Sequence, residues 1–248
     1  MKRVYIFNKV PFDRITKKKL IETILVSARE KEKKLILNMN TYGVVTYLKN
    51  EKYAEIIGKA DIIYSDGWGP VIASHSLEEK LTERVNVGDF IYELFDSTQV
   101  QKLSIYLLGG RARLLKKAVS VIRKKYPLIK IEGYHHGFFT KKTESKILKD
   151  IKKTNPNIVF VGMGLPKQEF WIENNWKYLP NSIYMGVGSV FEYIAGKRRA
   201  PVWMRNNGFE WLYRFFQEPK RLWKRYTLDN IFFIYMFLKG FINRRAKN

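Results

Sequence analysis

The sequence predicts an α/β fold: a mainly parallel β-sheet with helices on both faces, followed by a basic, amphipathic helical appendage. Three observations lead there. Short apolar runs alternate with stretches of helical periodicity from the start of the chain to about residue 196. Four of those runs lead into glycine turns: Ser65-Asp66-Gly67, Gly109-Gly110, Gly162-Met163-Gly164 and Gly186-Val187-Gly188. From Lys197 onward the composition changes, with thirteen Lys or Arg against Glu210, Glu218 and Asp229, interleaved with Trp203, Trp211, Trp223 and many Phe and Tyr.

The elements follow in order. Residues 4–7 and 10–12 flank Asn8 and Lys9 as a hairpin at the sheet edge. Ile15, Leu20, Ile24 and Leu25 fall at helical spacing within 15–30, with Thr16 as the cap. Residues 34–38 form a strand, 42–49 and 56–59 two helices, and 61–64 the strand before Asp66. The strand 103–108 precedes an amphipathic helix at 114–125, closed by Pro127; the strand 129–134 precedes a helix at 144–153. Residues 158–161 and 182–185 are the last two strands. Residues 1–196 thus read as a Rossmann-like catalytic domain and 197–248 as the appendage. There Pro219 separates two helices, because proline breaks interior helix bonds, and Phe209, Leu212, Tyr213 and Phe216 make one apolar face.

The chain has 248 residues, 46 Lys or Arg against 23 Asp or Glu, no Cys, and 46% hydrophobic residues. That content supports a sizeable core and excludes a disordered polyelectrolyte. Without cysteine there is neither a disulfide framework nor a thiolate metal site, which fits a reducing cytosol. Asp13 and Lys17 to Lys19 interrupt the apolar start, so no signal peptide is expected. The late apolar run at 231–238 is far shorter than the ~20 residues that cross a bilayer. A net charge of +23 asks for an anionic partner: nucleic acid, anionic lipid or a phosphorylated substrate. Basic residues interleaved with aromatics also suit nucleic acid, but no recognised motif for it is present, and none is expected as a partner.

The glycine pairs let backbone approach a phosphate or sugar, and tight strand-to-helix turns need the same residues. Lys167 and Phe191 stand where a third glycine would complete G-x-G-x-x-G, so no nicotinamide cofactor is expected. Asp66 at a strand end can aim a carboxylate into the crevice beyond the sheet as a general base, or form an Asx turn. Pro166-Lys167-Gln168-Glu169 opens a helix. There Gln168 can make paired hydrogen bonds and Lys167 can meet a phosphate, or the block can simply close a capped first turn. Gly164, Lys167, Gln168, Glu169, Gly186 and Gly188 are therefore candidate substrate-binding residues. No D-x-D pair occurs, and His75, His135 and His136 lack partners at ligand spacing, so no metal site is expected.

Taken together, Asp66-Gly67, the block from Gly162 to Glu169, Gly186-Val187-Gly188, Arg199-Ala200-Pro201, Glu210-Trp211-Leu212-Tyr213-Arg214 and Glu218-Pro219 resemble the WecG/TagA/CpsF glycosyltransferases over nearly the whole chain. The resemblance implies inverting, metal-independent transfer of a sugar from a UDP-sugar to a polyprenyl-diphosphate-linked sugar. It places that reaction at the cytoplasmic membrane face, in teichoic acid or surface-polysaccharide synthesis, with no cofactor. N-acetylmannosamine is the default sugar; glucose, glucuronate and N-acetylmannosaminuronate stay open, as does assembly into a homo-oligomer. Asp66 falls on the catalytic base, and Asn40, Arg84 and Gln168 on the substrate pocket. Arg214, Arg221 and Arg225 fall on appendage arginines brought to the donor diphosphate as the appendage closes over the site and docks on an anionic membrane. Asn38 is a catalytic candidate in which an amide replaces the threonine of many relatives. The glycine at 88 comes one place late in the 84–89 segment, and Glu192 replaces a frequent Asp after Phe191.

Overall fold

The computed structural model of the chain describes residues 2–75 and 80–245; the end of the appendage, 246–248, lies outside the described residues. An antiparallel hairpin, β1 (Arg3–Ile6) and β2 (Val10–Asp13), leads to α1 (Lys17–Arg29) and β3 (Lys34–Met39). There follow α2 (Thr41–Lys49), α3 (Glu51–Gly58), β4 (Ile62–Ser65), α4 (Trp68–Ser74) and α5 (Val87–Val100). Next come β5 (Ser104–Gly109), α6 (Ala112–Lys125), β6 (Lys130–His135), α7 (Lys141–Thr154) and β7 (Ile158–Gly162). The body closes with α8 (Lys167–Asn175), β8 (Ile183–Gly186) and α9 (Val190–Ile194). The tail is α10 (Val202–Asn206), α11 (Glu210–Gln217), α12 (Pro219–Tyr226) and α13 (Leu228–Arg245).

Six strands make one parallel sheet in the order β4-β3-β8-β7-β5-β6. Side chains of successive strand residues point to opposite faces, so Ile36, Ile105 and Phe160 meet α1, α5, α6 and α9. Leu37, Leu108 and Val161 meet α2, α3, α7 and α8 on the other face. Both faces are covered, as in the α/β fold the sequence predicts. Local chemistry agrees: Thr16 accepts the Lys19 N–H at 3.2 Å to start α1, and Pro219 opens α12 at the helix start, where its missing N–H costs nothing.

The hairpin forms at the sheet edge as the sequence predicts, as a two-stranded sheet of its own beside the edge strand β4. It meets β4 through the buried Asp13, which accepts from the Ile63 N–H (2.8 Å) and two Arg3 nitrogens (both 2.9 Å) in place of a strand ladder. Between Gly67 and Leu103, where the sequence reading places no element, α4 and α5 form. Gly69 and Pro70 of α4 and Gly88 of α5 each sit in a first helical turn, where both residue types are tolerated. Asn86 caps α5 by accepting the Gly88 N–H at 2.9 Å.

The tail folds back over the carboxyl ends of the strands. Trp68 Nε1 donates to the Arg205 carbonyl at 2.9 Å. Along α13, Phe233 is buried and meets Phe7 edge-on at 5.6 Å, and Phe232 and Phe237 pack on the same cluster. Ile231, Tyr235, Leu238 and Ile242 form an exposed stripe on the other side. Only part of the apolar run is therefore unpartnered. Among the described residues no helix is long and apolar enough to cross a membrane.

Candidate active site

Two adjoining cavities, of about 380 and about 110 Å³, lie between the ends of β3, β4, β7 and β8 and the tail. They share Asn40, Asp66, Asn86, Glu210, Arg214 and Arg225 as a common wall. The larger is flanked by apolar Trp68, Ile72, Trp211, Phe233 and Ile234. The smaller runs over Gly164, Gly188, Gln168, Asn38 and Arg221.

The body side is set by the sheet. Asp66 extends the β3–β4 pairing, its N–H bonded to the Met39 carbonyl at 3.0 Å, so its side chain emerges at the strand end. The carboxylate accepts from the Val87 N–H, while Oδ1 is sealed from solvent without a partner among the described residues. Burial pushes the carboxyl up to about 7, helped by Glu210 and opposed by Arg84, Arg214 and the Val87 N–H. Asn38 is buried on the neighbouring strand, its Nδ2 donating to the Gly186 carbonyl (2.6 Å) and the Tyr64 hydroxyl (3.3 Å). Asn40 caps α2, accepting the Gly43 N–H at 3.2 Å.

Gln168 joins two of the glycine turns. Its Oε1 accepts the Gly188 N–H at 3.1 Å and its Nε2 donates to Glu169 Oε1 at 2.9 Å. A Cβ on Gly186 would lie 2.7 Å from that Nε2, so Gly186 serves by leaving room under the cavity and not by lining it. Gly164 and Gly188 line it in the left-handed region, at φ +79° and +55°. Glu169 is fully buried behind them, pushed up to about 7 by that burial against the Gln168 bond, and touches neither cavity. Lys167 also lies outside both cavities. Its ammonium is spent on the Gly137 carbonyl (2.9 Å) and the Phe138 ring, because the first turn of α8 carries it away from the crevice.

The tail side supplies charge. Arg214 Nη2 donates to Ser189 Oγ at 3.0 Å. Burial would lower its proton affinity, but Tyr193, Tyr226, Glu210 and Asp66 hold it above the ordinary value. Arg225 lies over Tyr42 at 4.3 Å and donates to Asn40 Oδ1 at 3.2 Å; burial, with Arg214 and Arg221, lowers it. Arg221 reaches the smaller cavity and pairs with Glu218. Arg84 donates to Asp89 Oδ2 at 2.5 Å, and Arg199 and Arg205 from the tail bond the same carboxylate.

Residues 4–247 match the glycosyl transferase WecG/TagA/CpsF family. The chain belongs to that family. A relative from Staphylococcus aureus (strain MW2), an N-acetylglucosaminyldiphosphoundecaprenol N-acetyl-beta-D-mannosaminyltransferase, is 33% identical over 86% of this chain and 84% of its own length. One of the same name from Bacillus subtilis (strain 168) is 33% identical over 77% of this chain and 74% of its own.

Within this glycosyltransferase the fold brings Asp66, Asn38, Asn40, Arg84, Gly164, Gln168, Gly188, Arg214, Arg221 and Arg225 to the two cavities, and leaves Lys167, Glu169 and Gly186 outside them. Glu210, Asn86, Ser189 and Arg205 also reach the site and were not singled out as site residues. Glu210 had a signal: it stands four residues before Arg214, which puts both on one face of a helix.

Proposed function

We propose that this glycosyltransferase moves a sugar from a UDP-sugar to a polyprenyl-diphosphate-linked sugar, with inversion and without a metal ion. The relatives' names support N-acetylmannosamine as the sugar moved and N-acetylglucosamine as the first acceptor sugar. The observation that carries the reading is Arg225. It is a buried cation facing both cavities, its Nε without a partner among the described residues; burial weighs most on it, and its leading electrostatic neighbours are Tyr226, Arg214, Tyr42 and Arg221, with no carboxylate in hydrogen-bond contact among the described residues. A buried charge without a counter-charge is costly unless an anion completes the site.

The diphosphate sits beside Gly164 and Gly188, against Arg214, Arg221 and Arg225, and the acceptor enters through the larger, apolar-walled cavity. The acceptor hydroxyl attacks the anomeric carbon, its proton passes to Asp66, and the bond to the diphosphate breaks on the opposite side. The guanidiniums take up the charge released on UDP by bidentate contacts, in the place a metal takes in other transferases. Asn38, with Nδ2 committed to Gly186 and Tyr64, holds the floor of the donor side.

The tail's exposed stripe, with Trp203 and Trp223 and the surrounding Lys and Arg, suits shallow insertion into the anionic cytoplasmic leaflet. Flotation with anionic vesicles tests this: Ile231→Glu with Leu238→Glu is expected to leave the protein at the bottom of the gradient, whereas unchanged flotation counts against it. The reaction is tested by incubating the protein with a panel of UDP-sugars and a short-chain prenyl-diphosphate-N-acetylglucosamine. Mass measurement is expected to show one added N-acetylhexosamine without added metal, and no product from any donor defeats the reading.

A further inference from the structure

Glu210 is the acidic residue that the tail contributes to the wall common to both cavities, facing Asp66 from the body. Its oxygens lie 3.9 Å from Arg84 Nη1 and 3.9 Å from Arg199 Nη2, too far for tight ion pairs. Both arginines make their close contacts with Asp89 instead, at 2.5 and 2.9 Å. Glu210 is thus held near two cations that another carboxylate already satisfies. The tail spends its first α11 residue on a negative charge in cavities whose other lining charges from that segment, Arg205, Arg214, Arg221 and Arg225, are positive. That placement works against donor binding and needs another reason.

We propose that Glu210 is a positioning residue for the transfer: carried by the tail to the wall that both cavities share with Asp66, it sets a second carboxylate across from the base and readies Asp66 as the proton acceptor. The proposal rests on reading Asp66 as the base that takes the acceptor's proton. The groups facing Asp66 are the Tyr64 hydroxyl from β4, Arg84 from the segment before α5, Glu210 and Arg214 from α11, and Arg225 from α12. Of these, Glu210 pushes proton affinity up, while Arg84 and Arg214 push it down. Burial beneath the tail, with Glu210 facing it, pushes the Asp66 carboxyl up to about 7, which suits it to accept the hydroxyl proton as the acceptor oxygen attacks.

The test uses the full chain labelled with 13C at the aspartate carboxyl carbons, with Asp66→Asn assigning the Asp66 signal. Glu210→Gln is expected to lower the Asp66 titration midpoint by about one pH unit or more, and Glu210→Asp to retain part of that difference. In parallel, transfer from UDP-N-acetylmannosamine to the short-chain acceptor is followed against pH. In Glu210→Gln the acid limb of kcat/KM moves down with the midpoint, kcat at its plateau falls roughly tenfold, and the Kd for UDP changes less than about threefold. An unmoved midpoint overturns the proposal. So does a moved midpoint with kcat and acid limb unchanged, since the coupling then does nothing for transfer. If the midpoint moves but wild type transfers no sugar from any donor, the electrostatic coupling is real and the reading of Asp66 as acceptor base is what fails.

Discussion

The two walls of the site are held by different forces. On the body side, Asn38, Gln168 and Glu169 are buried and bonded within the frame of the sheet, over clusters of apolar side chains that fill both faces. On the tail side the described residues bury only three apolar side chains, Ala200, Leu222 and Phe233. Around these the attachment is Phe232 and Phe237 packed on the body's apolar cluster, hydrogen bonds such as Trp68 to the Arg205 carbonyl, and many ionic or cation–π contacts: Lys197 to Glu192 and Glu218, Arg199 and Arg205 to Asp89, Arg225 over Tyr42. The proposed base thus sits on the wall with the deeper apolar core, and the proposed diphosphate ligands on the wall fastened mostly by exposed or partly buried contacts, the arrangement in which the second opens at lower cost than the first.

The sharpest way to break this contrast is Asp66→Asn. If the body wall carries the chemistry, kcat falls by about 10³-fold or more while UDP affinity, which the proposed mechanism assigns to the tail arginines, stays within about threefold. The same variant carries a stability signature. Folded Asp66 keeps its proton up to about pH 7, whereas the unfolded chain releases it near 3.8, so the folded state binds the extra proton between those values. Stability from this group therefore declines as pH rises through that window. Asp66→Asn is expected to melt above wild type at pH 8 and to match it below about pH 4. A variant less stable at pH 8 shows that the carboxylate supports the fold and not only the site.

Arg225→Ala addresses the other wall and has the next largest effect. Removing a buried guanidinium whose Nε is unpaired is expected to raise the Kd for UDP by about 10- to 100-fold in calorimetry. The melting temperature is expected to change little, because the lost Asn40 bond and Tyr42 contact are set against the cost of keeping that charge buried. A large loss of stability with intact UDP binding reverses the assignment of affinity to the tail.

How much of this the sequence shows differs between the walls in the same way. The strands are legible because each is a short apolar run closed by glycine or a polar turn, and the parallel sheet follows from their alternation with helices. Asp66, Gln168, Gly164 and Gly188 lie within a few residues of those strand ends, so locating the strands locates them. Lys167 misled because one residue along a helix turns a side chain by about 100°, and sequence order alone does not say which of Lys167 and Gln168 faces the crevice. Glu210 stayed hidden for a different reason: its neighbours, Asp66 and Arg84, are more than a hundred residues away, and only the fold-back of the tail joins them.

A smaller effect sharpens the picture of the body wall. In Gly186→Ala the new methyl would meet Gln168 Nε2 at 2.7 Å, forcing Gln168 off the Gly188 N–H. Overpacking of this kind costs about 1–3 kcal/mol, measurable by urea unfolding, and transfer is expected to fall with it because the Gly188 turn loses its tie to α8. Wild-type stability and activity would mean that Gln168 swings aside freely, and that the body wall is softer than its burial suggests.

The smallest effect belongs to the root of the tail. Lys197 reaches Glu192 at 2.8 Å and Glu218 at 2.5 Å, tying the chain just after α9 to the start of α12, but the ammonium and both carboxylates remain partly exposed. Such pairs contribute little, because solvent screens them and ordering three long side chains costs entropy. Lys197→Met is expected to destabilise the chain by less than ~1 kcal/mol at low salt. In ~1 M NaCl, where the screening length falls to about 3 Å, the difference from wild type shrinks further. Limited proteolysis between residues 197 and 210 reads the attachment more directly, with faster cleavage in the variant and in wild type at high salt. If Lys197→Met instead costs about 2 kcal/mol or more, independent of salt, the root of the tail is fastened far more firmly than exposed ion pairs allow, and the contrast between the two walls fails.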